Sequence, residues 1–287
     1  MSNKVSVVIP AKNESGSIGS VISRLVGLVN EIIVVDDGSS DDTATIAKAS
    51  GAIVISHAYS KGNGAAIKSG ARAASGDVIV FMDADGQHDP NDIPKLLKKL
   101  YQGFDMVVGA RSAKSQASLG RLAANSFYNK FGSWMVGHKI EDLTSGFRAV
   151  NAEKFREFIY LLPNGFSYPT TSTMAFFRAG YSVGYEPIVA AKREGDSHIN
   201  IVKDGVRFLL IIFKVGTLYS PLKLFTPISF GVFSLGLCRY IYTYIQSGTF
   251  TNMSAVFFTT SLIIFLIGLV SEQITMLIYQ SIDNKKS

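Results

Sequence analysis

Asp83 and Asp85 stand one residue apart, directly after the apolar run Val78–Met82, and are followed by Gly86-Gln87-His88. Alternate residues of an extended segment point the same way, so both carboxylates can serve one ligand. Paired carboxylates at this spacing suit a hard divalent cation, Mg2+ or Mn2+, that keeps room for a substrate diphosphate in its octahedron. Such a cation offsets charge on a departing phosphate as a Lewis acid. Gln87 and His88 are candidate further ligands, and Asp83 could equally orient a ribose. Two more polar clusters follow short apolar runs: Pro10-Ala11-Lys12-Asn13-Glu14, and Asp36-Asp37-Gly38-Ser39-Ser40-Asp41-Asp42-Thr43. Any one of the three could merely cap a helix. All three on one sheet edge are hard to explain by capping.

The elements that must carry these clusters follow from periodicity. Val5–Ile9, Ile32–Val35, Ala52–Ile55, Val78–Met82 and Met106–Gly109 are short apolar runs bounded by turn or polar residues, the pattern of buried strands. Between them, helical spacing covers about 15–28, 41–50, 64–75 and 91–102, and further helices fall near 120–136, 151–161 and 170–179. Strands that alternate with helices predict a mostly parallel sheet covered on both faces. Open sheets of that kind bind ligands at the carboxyl ends of their strands, where the three clusters lie. Lys61-Gly62-Asn63-Gly64-Ala65-Ala66 lacks the third glycine of a dinucleotide fingerprint and follows the third strand. That speaks against a dehydrogenase, and leaves a glycine-rich loop that lets backbone approach a nucleotide.

Charge and hydropathy divide the chain. Of the net charge of +6, residues 199–287 carry +4 from seven Lys/Arg and three Asp/Glu, and the first 198 are close to balanced. A near-neutral domain with a basic, apolar tail is no nucleic-acid footprint; a basic flank beside apolar helices suits an anionic membrane face. The single cysteine, Cys238, excludes an internal disulfide framework, and the N-terminus runs straight into a strand without a signal-peptide core.

Leu224–Ile245 and Ser254–Gln280 are each long enough to cross a bilayer and carry one charge apiece, Arg239 and Glu272. A short polar link joins them into a hairpin; two buried core helices are the alternative. Lys203, Arg207, Lys214 and Lys223 precede the first span, and Lys285 and Lys286 follow the second. The positive-inside rule then puts both termini and the catalytic domain in the cytosol. Lys203, Arg207 and Lys214 share a helical face, and with Phe208–Phe213 they predict a helix lying in the interface. In a simple hairpin Arg239 and Glu272 lie at different depths and cannot pair. Glu272 is therefore expected to be neutral, or to pair with Lys223 or a neighbouring subunit, and a homo-oligomer stays open.

Taken together, Pro10–Glu14, Val35-Asp36-Asp37-Gly38-Ser39, Gly62–Ala66 with Gly70, and Asp83–His88 resemble the signature series of family 2 glycosyltransferases, which have the GT-A fold. Asp142-Leu143-Thr144-Ser145-Gly146-Phe147-Arg148 and the two-span tail resemble the polyprenyl-phosphate branch of that family. The resemblance implies an α/β GT-A domain over 1–198, an interfacial helix over 199–221, and a transmembrane hairpin with a cytosolic tail over 222–287. It implies that Pro10, Ala11, Asn13, Glu14, Asp37, Gly62, Asp83 and Ala84 hold the nucleotide of a UDP- or GDP-sugar, and that Asp83, Asp85 and Gln87 hold the metal and diphosphate. Arg111, Arg121 and Asn125 fall where the family gathers an acceptor phosphate, with Ser145, Lys192 and Arg193 beside them. Guanidinium forks suit that task.

The chain departs from the family in two places. Arg193-Glu194-Gly195-Asp196-Ser197-His198 carries histidine where lysine is usual, and Ser167–Thr173 offers no glutamate base. A hydroxyl acceptor needs a positioned base, whereas a phosphate monoester is already ionised near neutrality. The implied reaction is therefore inverting transfer of a sugar to a polyprenyl or dolichyl phosphate, with Asp85, Asp142, Arg111 and Arg121 as catalytic candidates and Asp142 the fallback base. Transfer to a glycan or lipid hydroxyl, and a non-catalytic nucleotide-sugar scaffold, are the alternatives.

Overall fold

A computed structural model describes residues 3–111, 119–165, 167–189, 213–214 and 216–283, with side chains in the segment after residue 118 described from 125 and those of the final helix up to 280. The chain divides into two compact units, Met1–His198 and Ile199–Ser287.

The first unit is built on strands β1 (Val5–Ala11), β2 (Glu31–Asp36), β3 (Ile53–Ser56), β4 (Val78–Phe81), β5 (Met106–Arg111), β6 (Arg148–Asn151) and β7 (Val183–Ile188). They form one sheet in the order β3-β2-β1-β4-β6-β5-β7. Every pairing is parallel except those of β6, which runs antiparallel to both β4 and β5. β6 and β7 have no counterpart among the strands predicted from sequence. β6 is only four residues long and follows a motif rich in polar residues, so its run of apolar side chains is too short to register.

Helices α1 (Ile18–Leu25), α2 (Thr43–Ala49), α3 (Asn63–Ala73), α4 (Ile93–Leu100), α5 (Leu119–Val136), α6 (Ala152–Arg156) and α7 (Tyr168–Arg178) connect the strands. The amphipathic faces of α1 and α4 bury Ile18, Val21, Ile22, Leu25, Ile93, Leu96 and Leu100 against the sheet, in one core with Val7, Ile9, Val34 and Val80. The sequence run Asp89-Pro90-Asn91-Asp92 does start a helix: the Asp89 carboxylate accepts the Asn91 amide at 3.0 Å ahead of a short 3-10 turn that leads into α4.

The strand order has a consequence for the site. β1 leads to β2 and β3 on one side, while β4 flanks it on the other. The connections therefore reverse direction between β1 and β4, and a crevice opens at that switch point. The tips of β4, β1 and β2 carry the three polar clusters side by side along this edge.

In the second unit, α8 (Pro221–Ser247) and α9 (Asn252–Asp283) form an antiparallel hairpin. Their most apolar windows have mean hydropathy 1.4 and 2.3 and are only 11% and 17% buried. A core helix pair would be buried; these two are exposed, and long and apolar enough to cross a membrane. Small residues bring the helices together: the Ser229 hydroxyl donates to the Ser261 carbonyl at 2.7 Å, Gly236 faces Phe257 and Phe258, and Gly268 faces Phe225. The Glu272 carboxylate accepts the backbone amide of Leu222, in the first turn of α8, at 3.3 Å. Arg239 is 17 residues further along that helix, about 25 Å away at 1.5 Å per residue, and lies over the Tyr242 ring. The expectation that these two charges sit at different depths agrees with this arrangement. One partner of Glu272 that sequence reasoning did not foresee is a helix N-terminus, whose orphan amides attract a carboxylate.

Candidate active site

The loops after β1 and β2 are laced together. Asn13 adopts a left-handed conformation (φ 56°), which turns its side chain so that Oδ1 accepts the Ser40 amide at 2.8 Å while its own amide donates to the Ser39 hydroxyl. The Glu14 amide donates to Thr43 Oγ1, and the Ser15 amide to Asp41. Pro10 and Ala11 form the end of β1, with the Ala11 carbonyl accepting the Asp37 amide.

Asp37, expected to help hold the nucleotide, is tied into the neighbouring loop. Its carboxylate is buried and takes four donors: His57 Nδ1 at 2.7 Å and the Lys61 amide at 2.8 Å on Oδ1, and the Ser60 hydroxyl and Gly62 amide, both at 2.8 Å, on Oδ2. A carboxylate has about four acceptor sites, so these donors engage most of its capacity. Burial pushes the Asp37 carboxyl up, but these donors outweigh it and hold the pKa below the ordinary value. Asp37 is thus the anchor of the 60–62 loop. His57, tied on its other side to Ser69 Oγ at 2.9 Å, was not singled out in the sequence because it belongs to no motif.

Gly62 is likewise committed to the scaffold. It has φ 101°, and a Cβ there would lie 2.5 Å from the Asn164 carbonyl; one on Gly64 would lie 1.9 Å from that of Pro163. The glycines let the start of α3 approach the 163–165 segment closely.

At the β4 tip, Ala84 is buried and Asp83, Asp85 and Gln87 are half-buried. The Asp85 carboxylate accepts the Gln87 amide at 3.1 Å. Asp83 keeps 38% of its side chain exposed, so a ligand from solvent can reach it, and His88 Nδ1 lies 3.9 Å from its Oδ2. Burial pushes the Asp83 carboxyl up; His88, Arg111 and Arg148 pull against that, and Asp85 adds to it. Two carboxylates repel each other beside a buried His88 nitrogen that has no hydrogen-bond partner among the described residues. Bound cations relieve this kind of donor set. Among the described residues no cluster of three or more His, Cys, Asp or Glu could hold a metal. A cation here would be left to Asp83, Asp85 and Gln87 together with oxygens of a substrate.

Opposite the pair, Arg111 ends β5 and meets Asp142 in a two-pronged contact, Nε to Oδ2 at 2.8 Å and a terminal nitrogen to Oδ1 at 3.0 Å. The same nitrogen donates to Thr144 Oγ1 at 2.6 Å. Asp142 also accepts the amides of Thr144 and Ser145, both at 3.1 Å. Burial opposes its charge, yet Arg111 and these amides hold its pKa below the ordinary carboxylate value. Arg111 is held up in turn, with Asp142 and Asp83 outweighing burial. Arg121 lies in the first turn of α5 with its side chain outside the described residues, and Asn125 is half-buried one turn on. Lys192, Arg193 and most of the expected interfacial helix also fall outside them. The structure thus gathers Asp83, Asp85, Arg111, Asp142, Ser145 and Gly146 at one end of the crevice, with Asp37 and Gly62 in the loops beside β2 and α3.

An open α/β sheet with this strand order and an acidic pair at its switch point defines the class: a GT-A transferase domain. The chain belongs to glycosyl transferase family 2, whose model matches residues 6–159, and a second model, the GtrB C-terminal hairpin, matches residues 220–277. It is 39% identical over 181 residues to a dolichol-phosphate mannosyltransferase of Pyrococcus furiosus, covering 57% of this chain and 50% of the relative. It is 32% identical over 221 residues to an undecaprenyl-phosphate 4-deoxy-4-formamido-L-arabinose transferase of Serratia proteamaculans, covering 70% and 64%. The chain therefore spans about half to two thirds of the length of these two relatives. Glucosyl-3-phosphoglycerate synthase of Mycobacterium tuberculosis, crystallised with Mn2+, UDP and glucosyl-3-phosphoglycerate, superposes with a TM-score of 0.60 at 27% identity, covering 75% and 79%.

Proposed function

We propose that this glycosyltransferase moves a sugar from a UDP- or GDP-sugar to a polyprenyl or dolichyl phosphate at the cytosolic face of a membrane. The observation that carries this reading is the Asp83–Asp85 pair, open to solvent at the switch-point crevice and faced by Arg111, in a chain with its own membrane hairpin. The names of the Pyrococcus and Serratia relatives point to the same acceptor class, and Mn2+ in the mycobacterial synthase supports use of a divalent cation.

Asp83 and Asp85 would hold the cation, which, once bound, offsets charge on the leaving diphosphate. An acceptor phosphate oxygen attacks the anomeric carbon as the bond from that carbon to the diphosphate oxygen breaks. The nucleoside diphosphate leaves, and a single displacement inverts the anomeric configuration. Arg111, with Arg121 and Asn125, would gather the acceptor phosphate. Asp142 holds Arg111 in place; with its oxygens engaged and its pKa lowered, it is a poor base for a hydroxyl acceptor. That favours the phosphate over the glycan or lipid hydroxyl reading. Lys214, Lys223 and the charges at 203, 207, 285 and 286 support a cytosolic placement of both ends. Incubating full-length protein in membranes with labelled UDP- and GDP-sugars and a short polyprenyl phosphate tests the reading; label should enter an inverted lipid-phosphate sugar, and label appearing only in lipid hydroxyls would contradict it.

A further inference from the structure

Arg148 is wholly buried at the start of β6, yet its hydrogen-bond acceptors among the described residues are neutral. One terminal nitrogen donates to the Pro169 carbonyl at 2.9 Å, Ser172 Oγ at 2.8 Å and Thr173 Oγ1 at 3.1 Å; the other donates to the Ser145 carbonyl. Nε has no hydrogen-bond partner among the described residues, and the guanidinium lies over the Tyr168 ring. Burying a cation without a carboxylate in contact is costly, so the residue needs a reason beyond packing. The reason is visible one residue from the Ser145 carbonyl. A Cβ on Gly146 would stand 2.9 and 3.2 Å from the two Asp83 oxygens, so the backbone there lies flat against that carboxylate. Tyr168, in the first turn of α7, donates its hydroxyl to the Gly146 carbonyl at 3.0 Å and lies 3.3 Å from that same Cβ position.

We propose that Arg148 is a positioning residue for the acidic pair: its fork ties the Ser145 carbonyl to the first turn of α7 and so seats Gly146 against Asp83. The consequence for metal binding rests on the cation role given to that pair above; the tie itself does not. Positioning and charge predict opposite signs. Removing a nearby positive charge alone would tighten cation binding, whereas losing the seat weakens it.

The test uses full-length protein in nanodiscs, with Arg148→Lys, Arg148→Met and Gly146→Ala variants. Arg156→Met is the control, because Arg156 caps α3 through the Ala71 and Ala74 carbonyls away from the pair. Hydrogen exchange of the 143–147 segment should rise in both Arg148 variants and stay unchanged in Arg156→Met. Mn2+ affinity, read by electron paramagnetic resonance on the metal alone, should weaken tenfold or more in both Arg148 variants and in Gly146→Ala. Unchanged exchange, or tighter Mn2+ binding in Arg148→Met with wild-type affinity in Arg148→Lys, would overturn the proposal. If Arg148→Met does not fold, the Lys and Gly146 variants still decide. Wild-type protein that binds no Mn2+ would contradict the cation reading of the pair, and exchange would then judge the Arg148 tie alone.

Discussion

Single side chains here divide into those that face the crevice and those that hold the crevice in shape, and residue type alone does not separate them. Asp37 and Asp85 both lie in acidic motifs at strand tips, yet four donors engage Asp37 while a solvent-borne ligand can reach the neighbour of Asp85. The motif was legible in the sequence; the donors from residues 57–62 were not, because they arrive from a different loop. Asp85→Ala should abolish transfer while circular dichroism and membrane association stay intact. Asp37→Asn should instead lower stability, by about 1–3 kcal/mol for a buried network left with unsatisfied groups, as read by thermal unfolding. The sign with pH follows from its lowered pKa: the stabilisation is full above the unfolded value near 3.8 and fades as pH falls through the lower folded value. The acid limb of the stability profile should therefore flatten in Asp37→Asn. For the pair across the crevice, Asp142→Asn and Arg111→Lys should each cut transfer about a hundredfold through misplacement of the acceptor. The double variant should be little worse than either, since the two act as a unit. Additive losses, or an Asp142→Asn defect in turnover with unaltered acceptor KM, would favour a base role.

Secondary structure was legible through β5, where apolar runs and helical spacing alternate cleanly, and less so beyond it, where β6 and β7 were both missed. β1, β2, β4 and β5 begin within a residue of the apolar runs that predicted them, and α5 spans Leu119–Val136 against an expectation of 120–136. β6 was not legible, although it inserts antiparallel between β4 and β5. It brings Arg148 and the 142–147 motif to the acidic pair, so the element hardest to read is the one that completes the site. The hairpin was legible as two apolar runs, but not its contacts, which depend on glycines with no signature of their own. Gly236 and Gly268 are the cases in point, since a Cβ on Gly236 would stand 2.8 Å from that of Phe257 and one on Gly268 2.6 Å from that of Phe225. Gly236→Leu should therefore wedge the helices apart, costing about 1–3 kcal/mol. A lower unfolding temperature in detergent, with the nucleotide-sugar affinity of the catalytic unit kept, would be the expected record.

Across the whole molecule, a near-neutral transferase domain and a basic, two-span hairpin share one chain. Joining them suits a reaction in which one substrate is soluble and the other cannot leave the bilayer. A water-soluble acceptor would give the spans no part in the chemistry, whereas a lipid-borne phosphate requires the crevice to work at the membrane surface. The most direct measurement is transfer from a panel of labelled UDP- and GDP-sugars to a short polyprenyl phosphate in reconstituted vesicles, with and without chelation of divalent cations. Formation of an inverted lipid-phosphate sugar from one donor, lost on chelation and restored by Mn2+ or Mg2+, is the expected result. Undiminished transfer after complete metal removal would contradict the role given to Asp83 and Asp85, and transfer only to hydroxyl acceptors would contradict the role given to Arg111.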